Sequence, residues 1–306
     1  MIELLPYSRK APSGGKETGE QAILPVTITE PKRFGHGAVV AGNEMFMGGG
    51  FNSTSAVVTN FHKFNFLTKQ WTNLAPLPLV GLRYSALLRV GNDIRPYGLS
   101  DRKDAFAITG NAWRLLGNSP EWMMYGYVHG WHNGKLYVAG GDGSTVNGLA
   151  RNRKTVLEWD PVADKWTFLP DLPFLSIYSV GGIAGGKLWI YGGNGVNAGS
   201  PYIWFYDIAT KVWTQGPIHP SGLSRALSFG ASNGNRLIMG GGTDTNGRSK
   251  EVYVFDLDTY AWEQLPDIAV PMTGASAVVY DEKIWIFGGQ NTAVLNSFFS
   301  YDIRRV

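Results

Sequence analysis

Residues 185–213 read GGKLWIYGGNGVNAGSPYIWFYDIATKVW, and the order of features in this stretch decides the fold. Gly185-Gly186 form a tight turn, residues 188–193 a short apolar strand ending in a diglycine, and a polar loop follows. A further strand carries Tyr206-Asp207, a short turn comes next, and Trp213 opens another strand. The same order returns along the chain at a spacing of roughly 40 to 50 residues, the mark of a stacked or circular array.

Aligned on the diglycine, the copies are Gly48-Gly49, Gly140-Gly141, Gly192-Gly193, Gly240-Gly241 and Gly288-Gly289. Each is preceded by a turn, at Gly42-Asn43, Asn133-Gly134, Gly185-Gly186, Gly234-Asn235 and Asp281-Glu282. Two-residue hairpin loops need positive φ and favour these residue types. An Asn or Asp stands six positions before a Trp in the pairs Asn65/Trp71, Asp160/Trp166, Asp207/Trp213 and Asp256/Trp262. A Pro-rich exit follows each Trp strand. Every repeat is therefore predicted to be a four-stranded antiparallel meander. A degenerate sixth copy lies at 90–113, where Leu99 replaces the second glycine and Gly98 to Trp113 is 15 residues against 21 from Gly192 to Trp213.

The diglycine, Tyr-Asp and Trp at these spacings resemble Kelch repeats over residues 33–306. The resemblance implies an all-β, six-bladed β-propeller of four-stranded blades around a central channel. The last copy ends at SFFSYDIRRV without a Trp strand. An unpaired third strand would leave an exposed edge, so residues 22–30, with Ile23, Leu24 and Val26, are expected to complete the last blade and close the ring. One propeller over 22–306 and a polar N-terminal arm over 1–21 follow.

Composition narrows the function. The chain of 306 residues has 40 Gly, 11 Trp and no Cys, which excludes disulfides, thiolate metal sites and cysteine nucleophiles. Copper-radical oxidases also use a Kelch propeller, but their cofactor requires a Cys–Tyr crosslink. A net charge of +3 is too mild to argue for nucleic acid. No run is long enough for a membrane span, and the start has no apolar core of a secretory signal. The compartment stays open, cytoplasm or virion being compatible with the absence of an evident signal. GGKET at 14–18 lacks the Ser or Thr that a phosphate loop needs after Lys16.

Three arginines share one repeat position, fifteen residues before the first glycine: Arg33, Arg83 and Arg225. Tyr125, Ile177 and Thr273 stand there in the other blades. In Kelch propellers this position lies near the channel rim. Either the three guanidiniums bind a carboxylate or phosphate, or each is fixed to carbonyls and an acidic residue of the neighbouring blade. Asp142, Asn194, Asp244 and Gln290 follow the diglycines on loops where propeller function usually sits; each is also a good turn former. His129 and His132 face opposite sides of a strand at that spacing, and no metal site is expected. Basic outer loops (Arg102-Lys103, Arg151, Arg153-Lys154, Arg248, Lys250) would favour an acidic protein surface if they share a face.

The resulting expectation is a non-enzymatic binding or structural propeller without a cofactor. Its protein partners engage loops and arm within a larger assembly such as a viral tail. The alternative is a carbohydrate-active isomerase. The hairpin at 128–138 is similar to hairpins of the sialic acid mutarotases, which are also six-bladed Kelch proteins. Glu121 or Asp142 with Arg83 or Arg225 would supply its acid–base chemistry.

Overall fold

Six four-stranded antiparallel sheets stand as blades around a channel in a computed structural model of the chain. It describes residues 22–23, 32–78, 82–99, 104–109, 111–118, 125–142, 145–146, 149–150, 154–163, 165–193, 199–295 and 297–303. Blade I contains strands Gly37–Ala41, Glu44–Gly48, Phe61–Asn65 and Gln70–Leu74. Blades II to V repeat the order, with innermost strands Leu82–Val90, Tyr127–His132, Val180–Ala184 and Ala226–Asn233. Blade VI has Thr273–Tyr280, Lys283–Gln290 and Phe298–Asp302. Its fourth strand is Ala22–Ile23, paired antiparallel as Ala22 with Ser300 and Ile23 with Phe299. The first and last parts of the chain thus share one blade. Leu24, Val26 and the arm 1–21 lie outside the described residues.

The hydrophobic core is divided rather than central. Six buried clusters occur, one at each joint between adjacent blades. At the joint of blades VI and I, for example, Phe64 and Phe66 pack with Trp285, Phe287 and Phe298. Burying one such ring is worth about 1.5–3 kcal/mol, so each joint stabilises both of the blades that share it.

The repeat signature has three distinct physical roles. Asn65, Asp160, Asp207 and Asp256 each accept two backbone N–H groups of the turn that follows, as in Asp207 Oδ1 with Ala209 N at 3.1 Å and Thr210 N at 2.8 Å. The turn is held by the side chain that starts it. Two of the tryptophans reach back to the preceding blade: Trp113 Nε1 donates to Ala75 O at 2.8 Å and Trp213 Nε1 to Pro170 O at 3.0 Å.

The diglycine joins blades. The N–H of the second glycine donates to a carbonyl at the start of the next blade: Gly50 to Leu82, Gly141 to Ser176, Gly193 to Arg225, Gly242 to Met272 and Gly289 to Arg33, all at 2.6–2.9 Å. In blade I and blade V the donor is the third glycine of a triplet. A Cβ on Gly192 would lie 2.0 Å from the Arg225 oxygen, and φ there is +77°. Only glycine allows that approach.

Blade II differs where the sequence is degenerate. It has no Asp at its outer turn. Asp93, at the start of the second strand, instead accepts from Thr109 Oγ1 at 2.9 Å, Arg95 Nη2 at 3.0 Å and Arg114 Nη2 at 2.6 Å. The loops between second and third strands also carry structure the repeat pattern does not announce. A small hairpin occurs in blade III (Thr145–Val146 with Leu149–Ala150), and in blade V Gly247–Arg248 returns onto its own second strand.

Candidate functional site

Strand direction sorts the loops. The hairpin turns and the Asn/Asp turns lie at one end of the channel. The diglycines, the loops after them and the entry into each innermost strand lie at the other. At this second end the entry to each innermost strand carries one residue with a left-handed backbone: Gly35, Tyr84, Gly126, Tyr178, Leu227 and Gly274, with φ between 47° and 74°. They form a circle of hydrogen bonds. Gly35 N donates to Gly274 O, Tyr84 N to Gly35 O, Gly126 N to Tyr84 O, Tyr178 N to Gly126 O and Leu227 N to Tyr178 O, at 2.7–3.0 Å. Thr273 Oγ1 closes it on Leu227 O at 3.4 Å.

The circle positions an aromatic arc. Left-handed φ is costly for a residue with a Cβ, yet Tyr84 and Tyr178 adopt it where blades I, III and VI use glycine. Those glycines make room for them: a Cβ on Gly35 would lie 2.7 Å from the Tyr84 ring, and one on Gly126 would lie 2.9 Å from the Tyr178 ring. Ring centroids follow one another at 5.2 Å from Phe34 to Phe51, 5.7 Å to Tyr84, 5.0 Å to Tyr178 and 6.0 Å to Tyr125. Phe51, Tyr84, Tyr125 and Tyr178 are half-buried, so part of each ring faces the mouth. Burial, and Tyr178 beside it, push the Tyr84 phenol well above its ordinary pKa, so it is a neutral hydroxyl at any physiological pH.

The three arginines of one repeat position do three different things. Arg225 donates Nε to Asp244 Oδ2 at 2.9 Å and Nη2 to Glu251 Oε2. Burial opposes its charge, but the Glu251 and Asp244 bonds outweigh burial and raise its pKa. Arg33, buried, donates Nη1 to Asn60 O at 3.2 Å and approaches His62 Nε2 at 3.1 Å with Nη2. Arg83, half-buried, lies over the Tyr125 ring at 5.2 Å and belongs to the arc. Of the loop residues, Asp142 accepts from Tyr125 Oη at 3.3 Å. Asp244 is engaged by Arg225, and Gln290 bridges to Val294. Asn194 and Glu121 lie outside the described residues, as do Arg102, Lys103, Arg151 and Arg153. Arg248 is exposed, and Lys250 pairs with Asp267 at 3.1 Å.

The histidines do not converge. His129 is enclosed, edge-on to Tyr127 at 5.8 Å, and burial pushes its pKa down to about 4. His132, at the hairpin end, meets the Asn133 amide at 3.0 Å. Among the described residues no three His, Asp or Glu side chains gather as a metal site.

Sequence reasoning found Arg83 and Asp142 but not Phe51, Tyr84 or Tyr178. The available signal was the position after the arginine, where three blades carry an aromatic residue and three a Gly or Ala: Phe34, Tyr84, Gly126, Tyr178, Ala226, Gly274.

Fold and mouth together define the class: a closed six-bladed β-propeller with a hydrogen-bonded channel entrance. The chain belongs to the Kelch-repeat family. The model of the KLHDC2/KLHL20/DRC7 Kelch-repeats domain matches residues 105–289, and that of the Kelch motif matches residues 32–78. Among solved structures it is similar to one described as "Structure of YjhT", at 16% identity and a TM-score of 0.70, over 91% of this chain and 96% of that one. At that identity the likeness is one of fold. The propeller fold supports a protein-interaction or structural role, and among the described residues no helix is long and apolar enough to cross a membrane.

Proposed function

We propose that the chain is a non-enzymatic binding propeller. Its diglycine-side mouth meets a protein partner within a larger assembly, a viral tail or similar particle being one setting. The half-exposed arc of Phe51, Tyr84, Tyr178 and Tyr125, with Arg83 on its last ring, carries this reading. Aromatic residues and Arg are the groups enriched at protein-binding hot spots. The chemistry expected of a channel enzyme is sparse: the six innermost strands carry no Asp or Glu, and Arg33 and Arg225 are engaged in holding blades.

The test is a photo-crosslinking residue placed at Phe51, at the mouth, or at Leu67, on the opposite end. In the native extract, crosslinks to a defined partner from position 51 and none from 67 support the reading; the reverse overturns it. A mutarotation assay with sialic acid discriminates the isomerase alternative. Acceleration that disappears in Arg83→Met would establish catalysis in place of binding.

A further inference from the structure

The end of the propeller away from the mouth carries a pattern of its own. We propose that two copies of this chain dock there face to face about a two-fold axis, blade II of each on blade V of the other. The inference stands apart from the reading of the mouth, because such a dimer leaves both mouths facing outward.

Two observations carry it. The first is charge. At the hairpin-turn end blade II presents Arg89, Arg95 and Arg114 against Asp93, whereas blade V presents Asp256, Asp258 and Glu263 against Arg236. The signs are reversed at equivalent repeat positions. Asp93 and Arg236 each open a second strand after a Gly-Asn turn, and Arg114 and Glu263 each follow the Trp of a fourth strand. Equivalent positions lie at the same distance from the channel axis, and in a ring of six, blades II and V stand opposite one another. A two-fold axis in the plane of this face, running between blades III and IV, therefore sets each blade II over blade V of the other copy. Asp93 then faces Arg236 and Arg114 faces Glu263, and each contact occurs twice.

These charges are available to a second copy. Arg89 is exposed, with its Nε on Gly91 O at 3.0 Å, and Arg114 is half-exposed. Asp256, Asp258 and Glu263 make no ion pair among the described residues. Complementary charge fixes register and excludes wrong partners.

The second observation is apolar exposure at the same end. Val162, in the outer turn of blade III, is 95% exposed, and Val212, where the fourth strand of blade IV begins, is exposed as well. The axis that pairs blades II and V runs between these two blades. It brings Val162 of each copy over blade IV of the other, where both side chains leave water. Tyr260, also exposed, stands on blade V under the arginines of the facing blade II, the placement of a cation on an aromatic ring.

The experiment is sedimentation of the full chain over a range of concentrations at low and high salt. A dimer is expected that weakens as salt rises, since exposed charges are screened. Arg89→Glu and Asp258→Lys change exposed residues and leave the Asp93 cluster and the Asp256 turn in place. Each should raise the dimer dissociation constant roughly tenfold or more, because the interface carries every contact twice. Mixing the two variants separates docking from a folding defect. A mixed pair keeps one parental contact of blade II on blade V and reverses both signs in the other, so dimers should return. A chain that stays monomeric at about 0.1 mM in low salt overturns the inference. So does a dimer indifferent to both variants, or a mixture that stays apart. Species that grow beyond two copies with concentration would mean a head-to-tail contact, which overturns it too. The photo-crosslinking residue at Leu67 joins two identical chains in this dimer, a product distinct by mass from a partner crosslinked at position 51. Either result can therefore fail without the other.

Discussion

Replacing Arg225 by Leu separates a structural arginine from a ligand-binding one. In the native state the Arg225 and Asp244 side chains are 6% and 4% exposed and bonded at 2.9 Å. Removing the guanidinium leaves the Asp244 carboxylate buried, with the Asn246 N–H at 2.7 Å as a remaining donor. Breaking a buried pair from one side costs about 3–5 kcal/mol, mostly because the other charge is stranded. Glu251, the second partner, is 34% exposed and regains water, so it adds little. The expected loss is thus near the lower end, roughly 3 kcal/mol. Urea unfolding at neutral pH reads it as a lower midpoint at unchanged m-value. Adding Asp244→Asn removes the stranded charge and can keep the Asn246 contact, so the double variant should regain at least half of the loss. A ligand-binding arginine behaves oppositely, since its removal leaves stability unchanged or raises it. If Arg225→Leu unfolds within ~0.5 kcal/mol of the parent, the structural assignment is wrong and the anion-binding reading of that position returns.

Three further outcomes follow from the same contacts. Gly192→Ala places its Cβ 2.0 Å from the Arg225 carbonyl and should destabilise by more than about 2 kcal/mol in thermal or urea melts, whereas Gly91→Ala, at φ +62° with nothing within 4 Å, should cost only about 1 kcal/mol of backbone strain. Deleting residues 1–31 removes the strand that pairs with Ser300 and Phe299 and should lower the melting temperature; a truncated chain that melts like the parent would refute closure by that strand. His219 is stacked on Tyr191 at 4.6 Å and edge-on to Tyr253 and Trp262; burial first and Arg225 second push its pKa down to about 3. An unfolded histidine titrates near ~6.5. Its contribution is therefore complete above about pH 6.5 and lost as pH falls from there toward 3, on the order of 5 kcal/mol in all. His219→Phe should keep more of its neutral-pH stability at about pH 4 than the parent does, as followed by circular dichroism.

The repeat was legible because it is local. Turns, strand ends and the Asn or Asp that caps the outer turn of blades I, III, IV and V depend on residues a few positions apart, so their order from 185 to 213 carries one blade, and its recurrence carries the ring. The degenerate second blade and the seam were legible for the same reason, as departures from a known period.

What each arginine does at the mouth depends on residues well separated in the chain, in its own blade for Arg33 and Arg225 and in the next blade for Arg83, and spacing does not encode that. Arg33, Arg83 and Arg225 are equivalent in the alignment, yet one holds carbonyls and a histidine, one covers a tyrosine and one is locked by two carboxylates. The diglycine of 192 and 193 reads as a strand end in sequence, whereas in the folded ring it is the point where the backbones of two blades meet. The sequence by itself determined six blades and their closure, because hydrophobic period and turn chemistry act within a blade. Only the tertiary structure decided which side chains remain exposed at the channel entrance, because that is settled by packing between blades.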